Sequence, residues 1–332
     1  MKSNIFLHTL KIAIAISIAM VHLGAAQAQH SDTTNTPPLK QWYLSTGNWG
    51  NDPQIYVQEI GNGIEPIIML HGGWGGEHGG MLAAVHGLEN EFRFVFYDQR
   101  GSLRSPFPDS LITFEQHIND LELLRKELDF NKVTIVGHSM GGVLASAYAS
   151  KYPQHIKKLV LISPAALKQP FSDEDNEIGQ QQFAASQEFQ NRAAIAKELA
   201  EYSLNKADSL LNSREKTMRS RINFGKLMLY DISKWTELRN GRGIYKGNVF
   251  NLTANTYPKN GWDYFSEFKN QNYPVSIIIG DHDWLDFGNN LNKKWAKEVA
   301  RIKFRSLKNA GHIPWIDQPA IFEKEFRTQL TE

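Results

Sequence analysis

The sequence predicts an α/β protein in which a mainly parallel central sheet is flanked by helices and interrupted by an inserted helical lid. Three observations carry this. Short apolar runs alternate with helical patterns along most of the chain, several of those runs are apolar at consecutive positions, and the strand signal disappears over one internal stretch of about ninety residues before it returns. Consecutive apolar positions are what a strand needs when helices cover both faces of its sheet.

The first 28 residues stand apart. Lys2 and Lys11 precede an apolar run from Ile12 to Leu23, and Ala26-Gln27-Ala28 supplies small residues where a signal peptidase cuts. This is a secretory signal pattern, and the run is short for a bilayer span and broken by His22. The expectation is a secreted or periplasmic protein, cut after Ala28, with no stable membrane association afterwards. Residues 29–40, with Pro37-Pro38 and no period, read as a flexible lead-in.

From there the strands follow in order: Ile55–Ile60, Pro66–Leu70, Phe92–Tyr97, Val133–Val136, Lys158–Ile162, Val275–Ile279 and Ile302–Leu307. Thr113 with Gln116 fits a capping box and opens a helix that places Ile118, Leu121, Leu124 and Leu128 on one face. A second helix starts at Met140, and its Gly141, Gly142, Ala145 and Ala149 let it lie close on the sheet. The core is expected over residues 41–167 and 259–332, with the helical lid at 168–258. The lid is polar and rich in glutamine and alanine, as in Asp173–Leu199.

Bulk composition narrows the function classes. Hydrophobic residues are 41% and charged residues 21%, ordinary values that exclude disorder and membrane bundles. Lys plus Arg (36) nearly balances Asp plus Glu (35), so no global field draws nucleic acid, and small-molecule or short-peptide partners are expected. With no cysteine there is neither a disulfide framework nor a thiolate nucleophile or metal site. The histidines are scattered without H-E-x-x-H, so no metal and no cofactor is called for.

The chemistry concentrates at Gly137-His138-Ser139-Met140-Gly141, a G-x-S-x-G turn between a strand and a helix. A serine nucleophile must project from a sharp turn, and glycines two before and two after it permit the crowded backbone there. Ser139 is the candidate nucleophile. Its base is expected late in the chain, and His312 lies in a loop between the last strand and a helix from Pro319; His138, beside the nucleophile, reads as structural. The acid belongs after the penultimate strand, where Gly280-Asp281-His282-Asp283-Trp284-Leu285-Asp286 offers three carboxylates. Asp283 is chosen because it is far enough past Gly280 to turn back, with Asp281 and Asp286 as alternatives. For a tetrahedral oxyanion, the Met140 N–H at the helix start is one donor, and Gly73 or Trp74 in His71-Gly72-Gly73-Trp74-Gly75-Gly76 supplies the other. A phosphate loop is the rival reading of these glycines, but no Lys-Ser/Thr pair follows.

With these motifs in place, the chain resembles the α/β-hydrolase superfamily from about Trp42 to Leu330. Within it, His71-Gly72-Gly73 together with Asp98-Gln99-Arg100-Gly101-Ser102-Leu103-Arg104-Ser105 resembles the prolyl iminopeptidase branch. That resemblance implies a serine triad that removes an N-terminal residue by acyl transfer, with Asp98 and Arg100 as scaffolding of the site's edge. Three positions depart from the branch: Trp74 for a proline, Leu103 for a glycine, and an elbow reading GHSMGG. The resemblance also implies lid carboxylates that hold the substrate's ammonium group. Glu177, Glu188, Glu198, Glu201, Glu215 and Glu237 lie in the lid, and no motif separates them. The expectation is an exported Ser-His-Asp hydrolase, most simply an aminopeptidase on short peptides. A carboxylesterase is the alternative within the mechanism, and a non-catalytic binding module on the same fold is the alternative outside it.

Overall fold

The structure is a computed structural model that describes residues 39–47, 52–239 and 246–332. The expected signal segment, and the expected lead-in up to residue 38, lie outside the described residues.

Eight strands form the central sheet: β1 (Leu39–Ser45), β2 (Gln54–Ile60), β3 (Pro66–Leu70), β4 (Arg93–Tyr97), β5 (Val133–His138), β6 (Ile156–Ile162), β9 (Val275–Gly280) and β10 (Ile302–Leu307). Their spatial order is β1-β2-β4-β3-β5-β6-β9-β10. The two pairs at the β1 edge are antiparallel and the rest are parallel. Every residue of β3, β5 and β9 is buried, as their largely apolar sequences require of strands covered on both faces. β1 was not expected. It is an edge strand that buries Leu44 and leaves Tyr43 exposed, so its sequence carries little apolar signal, and it takes Leu39 and Lys40 from the expected lead-in.

Helix α1 (Phe114–Glu127) starts where Thr113 accepts a hydrogen bond from the Gln116 N–H, and it buries Ile118, Leu121 and Leu124 against the sheet. Helix α2 (Met140–Lys151) follows β5 directly. It lies close on the sheet because Gly141 has no side chain: a Cβ there would stand 2.3 Å from the Leu70 carbonyl oxygen.

The insertion is helical, as the loss of strand signal predicts. It holds α3 (Asp173–Gln190), α4 (Ala193–Glu201), α5 (Ser213–Met228) and a 3-10 turn at Ile232–Glu237. Two boundaries differ from the expected 168–258. The neck is closed by a short antiparallel pair, β7 (Lys168–Gln169) with β8 (Trp262–Asp263), which is too brief to leave a periodic signal. Helix α6 (Gly247–Ala254), expected in the lid, packs with the core: Val249 joins the cluster around Trp74 and Phe114, and Thr253 Oγ1 lies 3.0 Å from His117 Nε2. At its other end the insertion is pinned by Asp175, whose buried carboxylate accepts from Lys294 (2.8 Å) and from the Trp295 indole (3.2 Å), both on the sheet domain's α8 (Asn290–Ala296). After β8 the chain adds α7 (Tyr264–Phe268), and it ends with α9 (Pro314–Asp317) and α10 (Pro319–Thr331). No helix among the described residues is long and apolar enough to cross a membrane.

Candidate active site

Ser139 is the hinge between β5 and α2, with φ 54° and ψ −122°. A non-glycine residue held there costs on the order of 1–3 kcal/mol, which the surroundings must impose. They do so through its N–H, which lies 3.2 Å from both the Ile162 and Ser163 carbonyl oxygens. They do so also through glycine contacts that no side chain would permit: a Cβ on Gly137 would lie 2.4 Å from the Gly141 carbonyl oxygen.

His312 sits in the loop between β10 and α9. Its Nδ1 is 2.9 Å and 3.1 Å from the two Asp283 oxygens, and both side chains are buried. Nδ1–H therefore donates to Asp283, which leaves Nε2 as the nitrogen free to serve Ser139. The other two aspartates are engaged elsewhere. Asp281 lies 2.7 Å from His282 Nδ1, and Asp286 accepts from the Asn292 N–H at 3.2 Å. Burial, with the Asp283 charge adding to it, pushes the Asp286 carboxyl well above the ordinary carboxylate range. His138 has the structural place its sequence position suggests. Burial and the neighbouring His312 hold its pKa well below the usual histidine value, and its neutral ring donates from Nε2 to the His312 carbonyl at 3.0 Å.

Ser139 and His312 line the same cavity, of about 470 Å³. Among the described residues no hydrogen bond joins them. Such bonds are often long in unliganded hydrolases and tighten when substrate arrives.

The glycine-rich loop after β3 passes directly over Ser139: a Cβ on Gly72 would come within 2.7 Å of Ser139 Cβ. Gly73 takes φ 69° and lines the cavity with Met140, the first residue of α2, whose N–H has no partner inside the helix. Trp74 turns its side chain away. Its indole is wholly buried, stacked on His117 at 4.7 Å and donating to the Tyr257 hydroxyl, so only its backbone N–H is available as a donor.

The Asp98–Ser105 turn buckles this loop in place. The Gln99 N–H donates to His71 Nε2 (3.0 Å) and the Gln99 amide to the His71 carbonyl (2.9 Å). Burial alone would raise the Asp98 pKa, but hydrogen bonds from His78 and Arg104 win and hold it well below the carboxylate range. Arg100 grips Asp120 with two nitrogens and donates to the Leu111 carbonyl at 2.7 Å. These are the scaffolding roles expected of Asp98 and Arg100. Glu77, His78 and Asp98 bring three potential ligand atoms together, yet the Arg104 guanidinium already bonds Glu77 and Asp98, each at 2.7 Å.

Of the six lid glutamates singled out from the sequence, Glu237 lines the cavity. Glu198 accepts from the Trp235 indole, Glu215 caps α5 and pairs with Lys206, Glu177 faces a separate groove, and Glu188 and Glu201 are exposed. Sequence reasoning missed Glu77 and Arg239, which also line the cavity. Glu77 directly follows the glycine loop, a position that could have flagged it, whereas nothing local marks Arg239. The remaining wall is largely apolar, with Phe224, Met228 and Leu238 from the insertion facing Ile313, Trp315 and Ile316 beside the histidine.

This fold, with a serine elbow and an aspartate-histidine pair opening on one cavity, is that of the α/β hydrolases. The family model for the alpha/beta hydrolase fold matches residues 65–319, and the chain belongs to that family. Within it the chain is similar to proline iminopeptidases. It is 26% identical over 282 residues to that of Lactobacillus helveticus, covering 80% of this chain and 90% of the relative. It is 32% identical over 144 residues to that of Lactobacillus delbrueckii subsp. bulgaricus, where the match takes in 41% of this chain and about half, 48%, of the relative's length. Among solved structures, a proline iminopeptidase-related protein from Thermus thermophilus superposes with a TM-score of 0.62 at 22% identity, covering 88% of this chain and 97% of that one. A thermophilic esterase from Thermogutta terrifontis does so at 0.59 and 19%, covering 88% and 98%. At such identities these two likenesses speak for the fold.

Proposed function

We propose that this protein is an exported serine hydrolase that works through a covalent acyl-enzyme, with Ser139 as nucleophile, His312 as general base and Asp283 as the residue that orients it. The observation that carries the reading is the buried Asp283–His312 pair at 2.9 Å, opening on the cavity that Ser139 lines. Ser139 Oγ attacks the substrate carbonyl while His312 Nε2 takes its proton and later gives it to the leaving group. The oxyanion accepts from the Met140 N–H and from that of Gly73 or Trp74. Water then repeats the attack and frees Ser139.

The substrate in this reading is the N-terminal residue of a short peptide, proline first. The similarity to proline iminopeptidases supports it, as does the placement of Glu237, a lid carboxylate on the cavity wall suited to an α-ammonium group. Glu237→Gln is expected to lower kcat/KM for proline p-nitroanilide by about 10- to 100-fold, the worth of one charge-assisted hydrogen bond. Hydrolysis of p-nitrophenyl butyrate, which has no ammonium group, should change less than about twofold. A carboxylesterase is the second reading, supported by the apolar wall. An equal loss on both substrates, or no loss on the anilide, removes the ammonium subsite and favours the esterase.

Export rests on the Lys2 to Ala28 pattern. Mass spectrometry of the native protein should find it beginning near Gln29, in the periplasmic or extracellular fraction. An intact Met1–Ala28 segment on cytoplasmic protein contradicts export.

A further inference from the structure

The loop that carries His312 is tied to the end of the insertion by backbone hydrogen bonds that converge on one buried carboxylate. Asp317 Oδ2 accepts from the Gly311 N–H at 2.8 Å and from the Tyr230 N–H at 2.9 Å, while Oδ1 accepts from the Asp231 N–H at 3.0 Å. In return the Met228 carbonyl accepts from the His312 N–H at 2.8 Å and from the Ile313 N–H at 3.3 Å. Lys234 closes the same junction, its ammonium donating to the Ile316 carbonyl at 3.0 Å and the Asp317 carbonyl at 2.9 Å. The approach is as close as backbone allows, since a Cβ on Gly311 would lie 2.5 Å from the Met228 carbonyl oxygen.

We propose that Asp317 is a positioning residue for His312, and that the strap Met228–Asp231 and the loop Gly311–Ile313 behave as one body. The inference rests on the reading of His312 as general base. Asp317 itself does not line the cavity that Ser139 lines, although its N–H lies 3.3 Å from the carbonyl oxygen of the wall residue Ile313, and the residue is only 4% exposed. Its effect passes through the backbone. His312 is held at its N–H by Met228, at its carbonyl by His138 and at Nδ1 by Asp283, and Asp317 holds the N–H of the preceding residue, Gly311. A buried carboxylate that accepts three N–H groups from two segments sets their separation, and removing it strands those donors without partners. Because Met228 also walls the cavity, the strap's position sets the distance between substrate and base together.

The test is Asp317→Asn, which keeps the shape but replaces one acceptor oxygen by an N–H donor, assayed with p-nitrophenyl butyrate well below the unfolding temperature. A displacement of about 1 Å in a catalytic group costs on the order of 10²-fold, so kcat is expected to fall about 10- to 100-fold with KM within about threefold. The pH profile of kcat/KM should shift its acidic limb, because the angle between His312 and Asp283 changes. A purely structural role would lower the unfolding temperature and leave kcat and the pH profile of the folded enzyme alone, and that result overturns the proposal. If Asp317→Asn does not fold, Lys234→Met releases the same junction from its other side and is expected to lower kcat about 3- to 10-fold, with unchanged kcat overturning the proposal. His312→Ala separates the two layers: if it stays active the reading of His312 fails, and if it is inactive the Asp317 result stands or falls by itself.

Discussion

Ser139→Ala is expected to lose on the order of 10⁶-fold in kcat, the scale on which a triad serine acts, while keeping its fold. The substitution removes one oxygen and leaves the elbow's determinants untouched: the Ser139 N–H still reaches the Ile162 and Ser163 carbonyls, and Gly137 and Gly141 still allow the close approach. The unfolding temperature should therefore move little. Residual activity above about a tenth of wild type would mean that the hydroxyl is not the nucleophile, since removal of a nucleophile costs far more than that. The strained φ of 54° would then need another explanation.

Asp283→Asn is the second large effect, with kcat falling by about 10⁴-fold as the amide presents the wrong partner to His312 Nδ1 and favours the wrong tautomer. The neighbouring aspartates make this a sharp test. Burial and the Asp283 charge favour the protonated form of Asp286, which asparagine mimics, so Asp286→Asn should stay within about threefold of wild type. Asp281 pairs with the partly exposed His282, and its replacement should be equally mild. If Asp286→Asn is the crippling change, the acid has been misassigned even though the loop is right.

Much of this was legible because the signals are local. The elbow is five consecutive residues between an apolar strand and a small-residue helix, Asp283 follows the apolar run Ile277–Ile279, and His312 follows the strand Ile302–Leu307, in which apolar and polar residues mix. The central parallel strands could be read for the same reason, being buried on both faces, whereas the edge strand β10 buries only Leu307. What escaped depends on contacts distant in sequence. β1 has one buried face and pairs only at the sheet edge, and β7 and β8 exist only because each finds the other. Glu237 is indistinguishable in sequence from the other acidic residues of the insertion, since facing the cavity is a matter of how α5 and the turn after it pack. Asp317 gives no signal either, because its partners are backbone N–H groups in two separate segments. Trp74 and Leu103, where the chain departs from the branch it resembles, keep the scaffold by other means. The Trp74 indole fills the space under the loop, and Leu103 is 46% exposed, so a side chain is accommodated there.

The central claim is that one hydroxyl, activated by one histidine, carries the chemistry. Intact-mass and peptide mass spectrometry after treatment with a fluorophosphonate tests it most directly, because the reagent phosphonylates a serine only where a base and an oxyanion site activate it. One adduct per chain, mapped to Ser139, lost in Ser139→Ala and formed far more slowly in His312→Ala, is the expected result. No adduct on the folded wild-type protein, or an adduct at any other residue, would contradict the account.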